Sequence, residues 1–215
     1  MENEVKSVSY TTTNTYNTLN QISAKTKNVW LVFHGIGFLS SYFLRYFEEL
    51  DPDENYIIAP QAPSKYYLKN EYKHVGASWL TKMDTHQEMK NLIAYLNKVL
   101  EAEKIPENVH FIVLGFSQGV SIATRYLAKT KLKCDQLVIY AGSIPNELEP
   151  SDLSYLIENT TEVTCIVGSH DAYLTEERMQ LEHQKIARLF QGKAKQIIFE
   201  GGHEMKKEVI HNLVR

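Results

Sequence analysis

Apolar positions along this chain follow two patterns that alternate from the first third of the sequence to its end. Short, mostly apolar runs occupy residues 29–33, 55–60, 109–115, 136–142, 163–168 and 196–200, unbroken in the first, and they are rich in Val and Ile. Runs this short and this β-branched suit strands covered on both faces. Between them, apolar residues recur three and four positions apart, which is helical spacing. Tyr42, Phe43, Tyr46, Phe47 and Leu50 form one such stripe. Met89, Leu92, Ile93, Leu96, Val99 and Leu100 form another, in a helix opened by Asp84 or Thr85 and running to about Lys104. Further helices are expected at 120–128, within 143–159, from Thr175 to about Gln191, and after Met205. Strands alternating with helices predict α/β architecture, with a mostly parallel central sheet and right-handed crossovers.

Two segments lie outside this alternation. Residues 4–22, rich in Thr, Asn, Tyr and Ser, predict an N-terminal antiparallel hairpin at a sheet edge, turning near Asn14. Residues 61–81, entered through Pro60 and Pro63, predict a long irregular loop that forms one wall of a substrate site. No repeat, linker or second hydrophobic core breaks the pattern, so a single domain over residues 1–215 is expected.

Charge narrows the partners. A net charge of -3 and a pI near 6.2 supply no basic field for nucleic acid or anionic lipid. The two cysteines, Cys134 and Cys165, lack metal-ligand spacing and read as small core residues of a reducing compartment. No apolar run approaches the ~20 residues of a membrane span. The start, Met1-Glu2-Asn3-Glu4-Val5-Lys6, has neither the basic nor the apolar region of a secretory leader. The expectation is a soluble cytoplasmic protein, monomer or homodimer, with no nucleic-acid partner, no stable membrane insertion and no metal.

Chemistry concentrates at strand ends. Gly115-Phe116-Ser117-Gln118-Gly119 lies between an apolar run and a helical pattern, the setting of a nucleophile elbow. A side chain at Gly115 or Gly119 would collide with the neighbouring strand or the helix backbone there. A plain helix N-cap at Ser117 is the competing reading. An activated serine also needs an acid and a histidine on later loops, and amides for an oxyanion. Asp171 follows the run ending at Gly168, His203 follows the run ending at Glu200, and His34-Gly35-Ile36-Gly37 follows the run ending at Phe33. In open α/β sheets ligands bind at the carboxyl ends of the strands, where all four segments fall. His203 is therefore the expected base, Asp171 its orienting acid, and the amides of Ile36 and Gln118 the oxyanion donors. Other histidines are misplaced: His110 lies in a strand, His183 and His211 in helices, and His170 directly beside Asp171. His34 reads as a structural hydrogen-bonder.

Taken with Ala59-Pro60-Gln61-Ala62-Pro63, Ala77-Ser78-Trp79-Leu80, Gly168-Ser169-His170-Asp171 and Gly201-Gly202-His203, the sequence from about residue 29 onward resembles the phospholipase/carboxylesterase family of α/β hydrolases. That family includes bacterial carboxylesterases and acyl-protein thioesterases. The resemblance implies an α/β-hydrolase fold, a Ser117-Asp171-His203 triad, oxyanion amides at Ile36 and Gln118, and hydrolysis of carboxylic esters or thioesters without a cofactor. The family often carries Asp where this chain has Phe38, and a second glycine where it has Val120. Its Ser-Trp-Phe is Ser78-Trp79-Leu80 here, followed by Thr81-Lys82. These changes lie around the acyl pocket.

The expectation is a serine esterase acting on small carboxylic esters, with no cap domain and an open site walled by residues 61–81 and by Phe38, Trp79, Tyr173 and Met205. The alternatives are an acyl-protein thioesterase or lysophospholipase-like activity, and, in another class, a catalytically silent ligand-binding α/β-hydrolase fold.

Overall fold

The computed structural model describes residues 4–173 and 175–214, so the first three residues of the start discussed above lie outside it. In chain order the elements are β1 (Tyr16–Leu19), β2 (Asn28–Phe33), α1 (Ser40–Phe43, prolonged by a 3-10 turn at Leu44–Phe47), β3 (Asn55–Pro60), β4 (Ser64–Tyr67), β5 (Val75–Ser78) and α2 (Thr85–Glu103). They continue as β6 (His110–Phe116), α3 (Gln118–Thr130), β7 (Gln136–Tyr140), α4 (Pro150–Glu158), β8 (Glu162–Gly168), α5 (Glu176–Leu189), β9 (Lys195–Phe199) and α6 (Lys207–His211).

Seven strands form the main sheet in the order β1-β3-β2-β6-β7-β8-β9. Only β1 runs antiparallel, pairing Tyr16 with Pro60 and Leu19 with Ile57. The expected N-terminal hairpin is therefore a single edge strand, because residues 4–15 form no strand of their own. Its place is fixed by Asn14, whose Nδ2 donates to Gln61 O at 2.7 Å, and by Asn20, whose Nδ2 donates to Asn55 O at 2.8 Å.

Every residue of β2, β3 and β7 is buried, which explains why these strands read as continuous apolar runs rather than alternating ones. Side chains still alternate between the faces. Val29, Leu31 and Phe33 join one core with the helices α2, α3 and α4, while Trp30 and Val32 join a second core with α1, its 3-10 turn and α6. Helices thus cover both faces, as an α/β-hydrolase fold requires.

Residues 61–81 are more ordered than their sequence suggests: β4 and β5 pair as a two-stranded antiparallel ribbon, Ser64 opposite Ser78 and Tyr67 opposite Val75. The ribbon is bound to the loop after β2, with Gly37 N–H donating to Ala77 O at 2.8 Å and Ala77 N–H to Phe38 O at 3.2 Å.

Candidate active site

Ser117 occupies the one-residue corner between β6 and α3, with φ 53° and ψ -117°. A non-glycine residue at positive φ is strained by roughly 1–3 kcal/mol and persists only where its surroundings hold it. Here Ser117 N–H donates to Tyr140 O at 2.9 Å, and Val120 N–H donates to Ser117 O at 3.1 Å. The flanking glycines allow the close approach. A Cβ on Gly115 would lie 2.5 Å from Gly119 O, and one on Gly119 would lie 2.0 Å from Phe33 O. The corner is tight because α3 begins almost in contact with β2.

The loops after β8 and β9 are laced together in the same way. Ser169 N–H donates to Phe199 O and His170 N–H to Gly201 O, each at 2.8 Å. A Cβ on Gly168 would lie 2.3 Å from Gly202 O. This lacing carries Asp171 and His203 toward each other. His203 Nδ1 and Asp171 Oδ2 stand 2.7 Å apart, and His203 Nε2 and Ser117 Oγ stand 2.9 Å apart. The Asp171 side chain is wholly buried, and its second oxygen accepts the Tyr173 N–H at 2.9 Å. An ionised carboxylate only accepts, so the imidazole proton belongs on Nδ1 and Nε2 is left to accept from the Ser117 hydroxyl. The His203 ring is held by Phe116, at a centroid distance of 5.3 Å, and by the edge of Tyr173 at 4.8 Å.

Ser117 and His203 open onto a cleft of about 420 Å³, also lined by Ile36, Phe38, Gln118, Tyr173 and Arg178, with Asp171 buried behind the imidazole. Neighbouring amides of the Ile36 loop are occupied, Gly37 N–H by Ala77 O and Phe38 N–H by Gly35 O at 3.2 Å. The N–H groups of Ile36 and Gln118 have no such loop partner among the described residues, and Gln118 N–H opens a helix, where the first amides lack intrahelical acceptors.

Two expected wall residues belong elsewhere. Trp79 is fully buried; its indole N–H donates to His34 O at 2.8 Å and its ring lies 4.9 Å from that of His34. Met205 packs into the core under α6. No residue of 61–81 lines the cleft among the described residues, because the β4–β5 ribbon is tied behind the Ile36 loop. Ser121, Ser143 and Arg178 line it instead. Ser143 could have been found as the residue just past a strand end; Arg178, inside a helical pattern, carried no signal.

His34 accepts Ala62 N–H at Nε2 (3.2 Å), and its Nδ1 lies 2.8 Å from Gly35 O, so both ring positions serve the backbone of the neutral tautomer. Burial holds its pKa down to about 4, against a smaller upward pull from Gly35 O. His170 faces Glu200 at 3.2 Å, away from Asp171. Among the described residues no cluster of His, Cys, Asp or Glu side chains is arranged to hold a metal ion, and no helix is long and apolar enough to cross a membrane.

The family model described as phospholipase/carboxylesterase matches residues 14–214. The chain belongs to this family. Membership makes it a hydrolase in coarse terms, and the fold agrees. Acyl-protein thioesterase 2 of Zea mays superposes with a TM-score of 0.68 at 16% identity, over 94% of this chain and 96% of that one. The Bacillus cereus carboxylesterase gives 0.64 at 16% identity over 93% and 91%. A carboxylesterase of Mesorhizobium loti gives 0.69 at 13% identity over 92% of each chain. No curated protein matches in sequence.

Proposed function

We propose that this family member is a serine hydrolase that cleaves small carboxylic esters through an acyl-enzyme on Ser117, with no cofactor. The observation that carries the reading is the continuous relay of 2.9 Å from Ser117 Oγ to His203 Nε2 and 2.7 Å from His203 Nδ1 to Asp171 Oδ2. As Oγ attacks the ester carbonyl carbon, its proton passes to Nε2 and the carbonyl π pair moves onto oxygen. The amides of Ile36 and Gln118 stabilise that oxyanion, each donor contributing roughly two to three orders of magnitude in rate. The oxyanion collapses, the bond to the leaving alkoxide breaks, and Nε2 returns the proton to it. Water then gives a proton to Nε2 while its oxygen attacks the acyl carbon. Collapse of the second oxyanion releases the acid, and Ser117 Oγ recovers the proton from Nε2. Asp171 stays ionised throughout, holding the tautomer and stabilising the imidazolium.

Phe38 supports an apolar acyl wall, packed edge-on against Phe116 at 5.9 Å and Phe43 at 6.0 Å. Cys134 and Cys165 are free, which fits the reducing cytoplasm we propose as its location; burial pushes both thiols up to about 12. A fluorophosphonate probe is expected to label Ser117, and Ser117→Ala to abolish both labelling and ester turnover. A folded protein that resists the probe, or a Ser117→Ala variant with undiminished turnover, contradicts the reading. p-Nitrophenyl esters of graded acyl length, run beside a palmitoyl thioester, separate esterase from thioesterase.

A further inference from the structure

Among the described residues, the cleft contains one cation that the relay does not use. Arg178 lines it with Ser117 and His203, and no Asp or Glu lines it among the described residues. Nη1 of Arg178 donates to Tyr173 O at 3.0 Å and Nη2 to Ser143 Oγ at 3.1 Å, both uncharged acceptors. A guanidinium carries five N–H donors, so these two bonds leave most of the fork available to a substrate. The carboxylates nearby are engaged elsewhere. Asp171 is taken by His203, and Glu182, four residues further along α5, pairs with Lys185 at 2.7 Å. Glu176 and Glu177 share the first turn of α5 with Arg178 but form no ion pair with it among the described residues.

The position of Arg178 runs against local electrostatics. Thr175 caps α5 by accepting Arg178 N–H at 3.3 Å. Three residues past such a cap the favoured residue is Glu or Gln, and a cation there opposes the helix dipole. Glu176 and Glu177 in the same turn offset the dipole cost, but a residue that departs from a local preference is where a functional role is expected. Arg178 also stands where the cleft meets a second groove of about 560 Å³, which shares Ser121 and Ser143. The other cations of that groove, Arg125 and Lys185, are paired with Glu147 and with Glu182, which also lines the groove, so Arg178 is the cation that faces both spaces without an ion-pair partner among the described residues.

We propose that Arg178 makes this hydrolase select esters bearing an anionic group, a carboxylate or a phosphate, on the part of the substrate that extends from Ser117 toward the adjoining groove. The inference rests on Ser117 as nucleophile. A charge-assisted contact to a guanidinium in a half-open site favours the anionic ester by about ten- to a hundred-fold in kcat/KM.

The test compares matched esters. Mono-p-nitrophenyl glutarate against p-nitrophenyl valerate places the charge on the acyl side. 3-Carboxyphenyl or 3-phosphooxyphenyl butyrate against phenyl butyrate places it on the leaving group and separates carboxylate from phosphate. The anionic member of at least one pair is expected to be preferred, the preference to shrink in about 0.5 M salt, and the ratio within that pair to fall close to one in Arg178→Gln and to recover in part in Arg178→Lys. Using the ratio cancels any loss common to both esters. Equal turnover within every pair overturns the inference alone. So does an Arg178→Gln variant in which both members fall together, since that marks Arg178 as a tether between the loops of Ser143 and Tyr173. Failure of the wild type to hydrolyse any ester or to take the fluorophosphonate overturns the reading of Ser117 and this inference with it.

Discussion

Gln118 is bound through its side chain to the backbone of Trp79: Oε1 accepts the Trp79 N–H at 2.9 Å, while Nε2 donates to Leu80 O at 2.8 Å. Trp79 in turn holds His34 O through its indole. The residue whose amide we propose as an oxyanion donor is thus pinned by its own side chain to the segment that supports the strand leading to Ile36.

Gln118→Ala removes both bonds and leaves a buried Trp79 N–H without an acceptor. The expected result is a loss of about 1–3 kcal/mol in stability and a fall in kcat of roughly tenfold with little change in KM. Urea denaturation and steady-state kinetics measure the two separately. Full kcat in the folded variant would show that the side chain does not place the amide.

Asp171→Asn keeps the shape of the buried side chain but removes its charge and offers an N–H to Nδ1, favouring the wrong tautomer. A drop in kcat of about four orders of magnitude is expected, with fluorophosphonate labelling slowed in parallel. A loss below tenfold would leave Asp171 a structural residue of the β8 loop.

His34 sets a pH limit on stability. Its folded pKa of about 4 lies below the usual imidazole range because the ring is buried. From about pH 6.5 downward the unfolded chain binds a proton that the folded chain refuses. Stability is therefore complete above that value and declines as pH falls toward 4, by on the order of 3 kcal/mol from this residue. Chemical denaturation at stepped pH should show the decline, and His34→Gln, which has no titrating ring, should flatten it.

Gly119→Ala forces a Cβ to within 2.0 Å of the Phe33 carbonyl, where no flexible side chain can give way. Loss of several kcal/mol, or failure to accumulate folded protein, is expected. Gly202→Ala, whose nearest neighbour lies at 3.8 Å, is the matched control and should fold with near-normal stability. Equal behaviour of the two variants would contradict the close approach of α3 to β2.

The parallel sheet was legible because burial on both faces writes an unbroken apolar run, as in Val29 to Phe33. The placement of Ser117, Asp171 and His203 could be read for a related reason: each follows a segment with a strand's composition, and a parallel sheet gathers its strand ends at one rim. Side-chain direction was not legible. Trp79 looks equally suited to a wall or a core, and its inward turn depends on a carbonyl, His34 O, some 45 positions away in the chain. The β4–β5 ribbon escaped notice because all four residues of β4 are exposed and show no alternation. Arg178 was hidden by its helix, where charge ordinarily means solvent.

His203 follows β9, an edge strand of the sheet that among the described residues pairs with β8 alone and exposes four of its five residues. Ser117 follows β6, at the sheet's interior. Opening of that border would withdraw the imidazole while the rest of the core stayed intact. Warming the protein should therefore silence it reversibly several degrees before it melts, so that residual turnover reports the integrity of one margin rather than of the whole molecule.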